Sequence, residues 1–145
     1  MNHKANSLDR GILTELIGYH VRMAQVAVFR DFVAALRDVE MTPTHFGTLV
    51  IISSNPGIKQ SDLASAIQID RSTVVPLIDK LENEGLVTRE RLSNDRRTNA
   101  LRITGKGQVF LDKLIPLVRA HERNFFKKLT KDEQNQIIKL LNKIY

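Results

Sequence analysis

The sequence predicts a mainly α-helical chain carrying one small β-hairpin. Three observations support this: long stretches with apolar residues at helical spacing, helix start and stop residues at matching places, and two short strand-like runs around a polar turn. At 145 residues with 42% hydrophobic content, the chain suffices for one compact domain and is short for two independent cores. A single domain over 1–145 is therefore expected.

From Leu8 to about Val39, Leu8, Ile12, Leu16, Tyr19, Met23, Val26, Phe29, Val33 and Leu36 recur at helical spacing with no proline between them, which predicts one long amphipathic helix. Thr42 offers a capping oxygen and Pro43 a fixed φ suited to a first helical position, so a second helix runs through Phe46, Leu49, Val50 and Ile52 until Asn55-Pro56-Gly57 stops it. Gln60 to Ile67 reads as a short third helix. After a tight turn, Asp70 caps a fourth helix whose Val74, Leu77, Ile78 and Leu81 form the buried stripe and whose end is marked by Gly85. Two short helices joined by a tight turn form a helix-turn-helix pattern.

Leu86 to Leu92 and Asn99 to Thr104 read as strands flanking the polar segment Ser93-Asn94-Asp95-Arg96-Arg97-Thr98, which makes a hairpin, or wing. Thr104 can cap a fifth helix reaching about Leu129, with Pro116 as a kink. Thr130 and Glu133 form a capping box for a last helix carrying Ile137, Ile138, Leu141 and Ile144. The winged helix-turn-helix then spans 43–104, and helices over 8–39 and 105–145 are left to join two subunits.

The formal net charge is +6, which favours an anionic partner. Its location says more than its sum: Leu86 to Lys106 holds six Lys/Arg against two acids, and Gly107 to Tyr145 eight against four. With no cysteine, disulfides, thiolate metal sites and thiol redox sensing are excluded. The start of the chain has no apolar signal segment and no run reaches a membrane span, so a soluble cytoplasmic protein without membrane contact is expected. His3, His20, His45 and His121 are scattered with no partner at a catalytic or metal-ligand spacing, and there is no Gly-rich phosphate loop. Neither an enzyme nor a cofactor is expected.

The ordered string DRSTVVPLIDKLENEGLVTRERLSNDRRTNALRITGKG, Asp70 to Gly107, resembles the MarR family of bacterial transcriptional regulators. A recognition helix ending in Gly, the strand LVTR, the wing tip DRR and the closing LRITGKG arrive in the family's order, and the flanking helices fit its dimerisation elements. Lys59 stands where the family has a Ser/Thr cap, and Gln68 where a turn glycine is common. That glycine's absence means the turn either avoids a left-handed residue or is strained into one.

On a helical wheel Ser72, Pro76, Asp79 and Asn83 lie opposite the buried stripe of the fourth helix, with Val75 and Lys80 on the flanks. In a helix-turn-helix the start of this helix enters the major groove, where hydroxyls reach base edges or phosphates and apolar groups meet thymine methyls. Arg71, Ser72, Thr73, Val75, Pro76 and Lys80 are therefore the expected double-stranded DNA contacts on the helix. Arg96 and Arg97 at the wing tip suit a narrow minor groove. The resemblance implies that Asp95 pairs with Arg97 and orients it, and that Arg89 and Arg91 lie near phosphates.

The family likeness further implies a homodimeric repressor of a pseudo-palindromic operator, released by a small aromatic or otherwise anionic effector bound between the dimerisation helices and the DNA-binding lobe. Within the family, DRSTVVPLIDKLE leans toward regulators of aromatic-compound metabolism. His20, Arg22, Met23, His45 and Phe46 are the pocket candidates, His20 and His45 standing on neighbouring helices from which they could face each other. The competing reading is a winged-helix module for protein–protein assembly, its basic wing facing an acidic partner; helix-packed histidines are the plain alternative to an effector pocket.

Overall fold

The structure, a computed structural model, describes residues 8–92 and 99–145. Its helices are α1 (Ile17–Ala35), α2 (Pro43–Ser54), α3 (Gln60–Ala66), α4 (Arg71–Asn83), α5 (Gly105–Phe125) and α6 (Lys131–Leu141). Three strands, β1 (Ile58–Lys59), β2 (Val87–Arg91) and β3 (Asn99–Ile103), form one antiparallel sheet in the order β1-β3-β2.

Four of the six helices, α2, α4, α5 and α6, start on a side-chain cap. The Thr42 and Thr104 side chains accept from the amides of His45 and Gly107, so both orphan donors are satisfied by a side-chain oxygen. At α6 the Thr130 and Glu133 side chains each serve the other's backbone amide, completing the capping box. Lys59 provides no cap for α3; the residues before it are held instead by β1, whose Ile58 and Lys59 pair with Leu101 and Ala100. Two residues of strand lie below any detectable alternation, and β1 was not anticipated by the sequence.

The predicted single helix over 8–39 is broken. A 3-10 turn occupies Gly11–Glu15, Leu16 is extended, α1 follows, and a second 3-10 turn spans Arg37–Val39 before Glu40 takes a left-handed φ of 50°. Local polar groups compete with the helix here. Asp9 Oδ1 accepts from the Gly11 amide at 2.8 Å, Thr14 Oγ1 donates to the Gly11 carbonyl at 3.1 Å, and Gly11 has φ +50°. Apolar spacing continues across the break, so periodicity alone conceals it. The fifth helix likewise ends at Phe125 rather than near Leu129, and it continues through Pro116.

Gln68 between α3 and α4 has φ 54°, so the turn is built with a left-handed non-glycine residue. Its side-chain amide donates to the Ser65 carbonyl at 2.9 Å, and the Ile69 amide donates to Ala64 at 3.0 Å, fixing the approach to α4.

The core joins α1 through Phe32 and its C-cap Leu36, α2 through Leu49 and Ile52, α3 through Leu63, α4 through Val74, Ile78 and Leu81, β3 through Leu101, and α5 through Leu111 and Leu114. Helix α4 thus buries one stripe firmly and leaves the other side outward. By contrast α6 buries none of its residues, and Leu8, Ile12, Ile17, Ile138 and Ile144 are all more than half exposed on the single chain. No helix among the described residues is long and apolar enough to cross a membrane.

Candidate nucleic-acid interface

Asp70 organises the start of α4. Its Oδ1 accepts from the Ser72 hydroxyl at 2.7 Å, the Thr73 hydroxyl at 3.0 Å and the Thr73 amide at 3.1 Å. The hydrogen bonds from Ser72, then those from Thr73, hold its carboxyl below the usual carboxylate range. Both hydroxyl protons are committed to the cap, which leaves their oxygen lone pairs free to accept from a base amino group or a water.

Arg71, Ser72, Thr73, Val75, Pro76 and Lys80 are all exposed on α4, while Val74, Leu77, Ile78 and Leu81 are buried. All six helix residues named from the sequence are thus exposed, and among them Lys80 borders the hollow lined by Met41, His45 and Glu84. Val75 and Pro76 supply an apolar surface flanked by Ser72 and Arg71, a mixture suited to reading thymine methyls and base-edge acceptors in a major groove. Pro76 lies inside α4, where it supplies no amide proton to the helix ladder.

The hairpin rises beside this helix with Arg91 opposite Asn99 and Arg89 opposite Leu101. Arg91 is exposed. Arg89 departs from the phosphate-facing position expected of it: its Nη1 lies 2.6 Å from Asp79 Oδ1 and 3.6 Å from Glu82 Oε1, on α4. Pairing with two carboxylates in a partly buried setting wins over exposure to solvent. The wing tip, with Asp95, Arg96 and Arg97, lies outside the described residues.

Asp79 and Glu82 had no assigned role in the sequence. Their spacing from Val75, four and seven residues on, was visible there as one helix face, but that β2 returns an arginine to this face is a tertiary fact. His121 has no partner at a motif spacing in the sequence, and its surroundings are likewise tertiary. It is buried between Phe32 and Phe125, with ring centroids at 5.3 and 5.8 Å, and its Nε2 is 3.0 Å from Asp31 Oδ2. That approach is close but poorly aligned, since neither ring nitrogen makes a directed hydrogen bond.

The effector candidates are not brought to one place. His20 is exposed and its Nε2 lies 2.8 Å from the Thr14 carbonyl, within its own segment. Arg22 donates to Gln25 Oε1 at 2.7 Å and borders an open groove of about 510 Å³ with Val26, Phe29, Arg30 and Val33; Met23 is exposed. His45 is half-buried, its Nδ1 2.6 Å from Thr42 Oγ1, and it lines a different hollow of about 290 Å³ with Glu40, Met41, Lys80 and Glu84. Phe46 packs near Phe32, centroids 6.3 Å apart. The hollow that His45 lines does not include His20, and each imidazole makes its polar contact within its own segment.

A three-stranded sheet whose hairpin flanks the second helix of a helix-turn-helix defines a winged helix-turn-helix protein, a class built to place one helix and one hairpin against duplex DNA. Residues 41–98 match the MarR family. A putative transcriptional regulatory protein for the hcr operon of Thauera aromatica is 34% identical over 99% of this chain and 87% of its own length. The chain belongs to the MarR family and is a transcriptional regulator. The transcriptional repressor CouR bound to a 23-mer DNA duplex superposes with a TM-score of 0.88 at 36% identity, covering 94% of this chain and 97% of that one. CouR bound to p-coumaroyl-CoA gives 0.85 at 33% identity, covering 94% and 96%.

Proposed function

We propose that this chain is a homodimeric repressor that binds a pseudo-palindromic duplex operator through α4 and the hairpin and is released by an aromatic or otherwise anionic effector. The observation that carries the reading is the outward face of α4, where Arg71, Ser72, Val75 and Pro76 stand exposed beside a hairpin rich in arginine. CouR, similar over nearly the whole chain, is bound to a DNA duplex in one structure and to p-coumaroyl-CoA in another. The dimer rests on the uncovered apolar residues of 8–39 and α6, which a single subunit leaves in water. Residues 8–39 and 105–145 are the dimerisation segments in this reading, and 43–104 the DNA-binding lobe.

Selection from a random duplex library tests the reading. Enriched sequences should contain two inverted half-sites with centres about one helical turn apart, roughly 34 Å. Adding p-coumaroyl-CoA to the preformed complex should release the duplex, because an effector that favours the free form must weaken DNA binding by linkage. Absence of any enriched sequence would overturn the reading.

A further inference from the structure

The face of α4 turned toward DNA in the proposed function carries two carboxylates, Asp79 and Glu82, which a polyanion repels. Arg89 of β2 answers both. Besides its approaches to Asp79 at 2.6 Å and Glu82 at 3.6 Å, its Nη2 donates to the Val75 carbonyl at 3.4 Å. Val75, Asp79 and Glu82 fall at i, i+4 and i+7, so one guanidinium spans two turns of the recognition helix.

Both terminal nitrogens are therefore engaged, and the arginine side chain is only 20% exposed, against 50% and 40% for Asp79 and Glu82. Its Nε is buried without a partner. A guanidinium that leaves one donor unsatisfied while reaching two acids on a neighbouring element is held by the docking of that element. It is poorly placed to reach a phosphate.

We propose that Arg89 is a positioning residue: it clamps β2 of the hairpin onto α4, fixing the angle between the two DNA-reading elements, and its single positive charge offsets part of the negative charge of Asp79 and Glu82 on the face presented to the duplex. The inference rests on the duplex-binding reading above. It assigns Arg89 an effect on affinity exerted through α4 and separates it from the exposed Arg91.

Three full-length variants, Arg89→Met, Asp79→Asn and the exchanged pair Arg89→Asp with Asp79→Arg, are titrated against the selected duplex at several salt concentrations. Arg89→Met should bind about tenfold more weakly or worse, with the dependence of log Kd on log salt unchanged, because no phosphate contact is lost. Asp79→Asn should also weaken binding, although deleting a negative charge beside DNA would by itself tighten it. The exchanged pair should recover part of the loss. Thermal unfolding and sedimentation establish that each variant is folded and associated like the parent; if Arg89→Met is not, Arg89→Gln, which removes the charge but keeps an amide donor toward α4, should weaken binding at the same slope. The inference is overturned if Arg89→Met, or Arg89→Gln in its place, lowers the salt slope by about 0.9 per protomer, the signature of a released phosphate contact, or if Asp79→Asn tightens binding. Failure of the unmodified protein to bind any selected duplex removes the underlying reading, and this inference with it.

Discussion

Gly107, in the first turn of α5, lies so close to the backbone carbonyl of Leu86 that no side chain fits between them. A Cβ there would also stand 2.8 Å from Ile103 Cγ1. The contact joins the start of α5 to both sides of the hairpin base, since the Leu86 carbonyl also accepts from the Thr104 amide at 3.0 Å and the Thr104 hydroxyl donates to the Gly85 carbonyl at 2.6 Å. The hairpin is thereby held to the helix that leaves it.

Gly107→Ala should destabilise the fold by about 1–3 kcal/mol, the usual cost of forcing atoms into a filled site. Gly105→Ala, two residues earlier, meets nothing within 4 Å and should leave stability unchanged or slightly raised. Urea unfolding of both proteins checks the pair; equal effects would show that the tight approach is relieved by a small shift.

Burial, and then the Lys80 ammonium, hold the His45 imidazole below its ordinary value of 6.5, with Glu84 opposing them. As pH falls through that value the unfolded chain takes up a proton that the folded chain accepts only at lower pH. Stability is therefore complete above about 6.5 and declines as acidity increases toward the folded value. The unfolding midpoint should drop as pH falls below about 6.5, and His45→Gln should reduce that drop. A pH profile identical in parent and variant would remove His45 as the cause.

His121 fills space between Phe32 and Phe125, so His121→Ala should cost about 2–5 kcal/mol, the range for large-to-small core substitutions. His121→Phe should cost less, because it keeps the ring and Asp31, 45% exposed, retains water as a partner. Equilibrium denaturation of the two variants measures the packing contribution of the ring, since both lack the nitrogen that approaches Asp31. A phenylalanine variant no more stable than the alanine one would show that ring packing does not set the cost.

Elements fixed by local chemistry were legible in the sequence. Thr42-Pro43, Asp70, Thr104 and the Thr130/Glu133 pair each announce a helix start, and each supplies the expected side-chain oxygen. The buried stripe of α4 followed from spacing alone, and with it the exposed set of Arg71, Ser72, Val75 and Pro76. What the sequence concealed depends on neighbours distant in the chain. β1 exists because β3 lies beside it, Arg89 turns inward because α4 offers Asp79 and Glu82, and His121 meets Asp31 through the packing of α5 on α1. The break at Leu16 is different in kind: apolar spacing continued through it while Asp9 and Thr14 redirected the backbone.

The central claim is that this chain binds duplex DNA, and the salt dependence of that binding tests it most directly. Fluorescence anisotropy of a labelled selected duplex, titrated with the protein from about 50 to 200 mM salt, should give a straight line of log affinity against log salt with a slope near −0.9 for each phosphate contacted. A dimer presenting two helices and two basic hairpins should contact several phosphates, and affinity should fall by orders of magnitude over that range. Affinity independent of salt, or no saturable binding to duplex at low salt, would contradict the account.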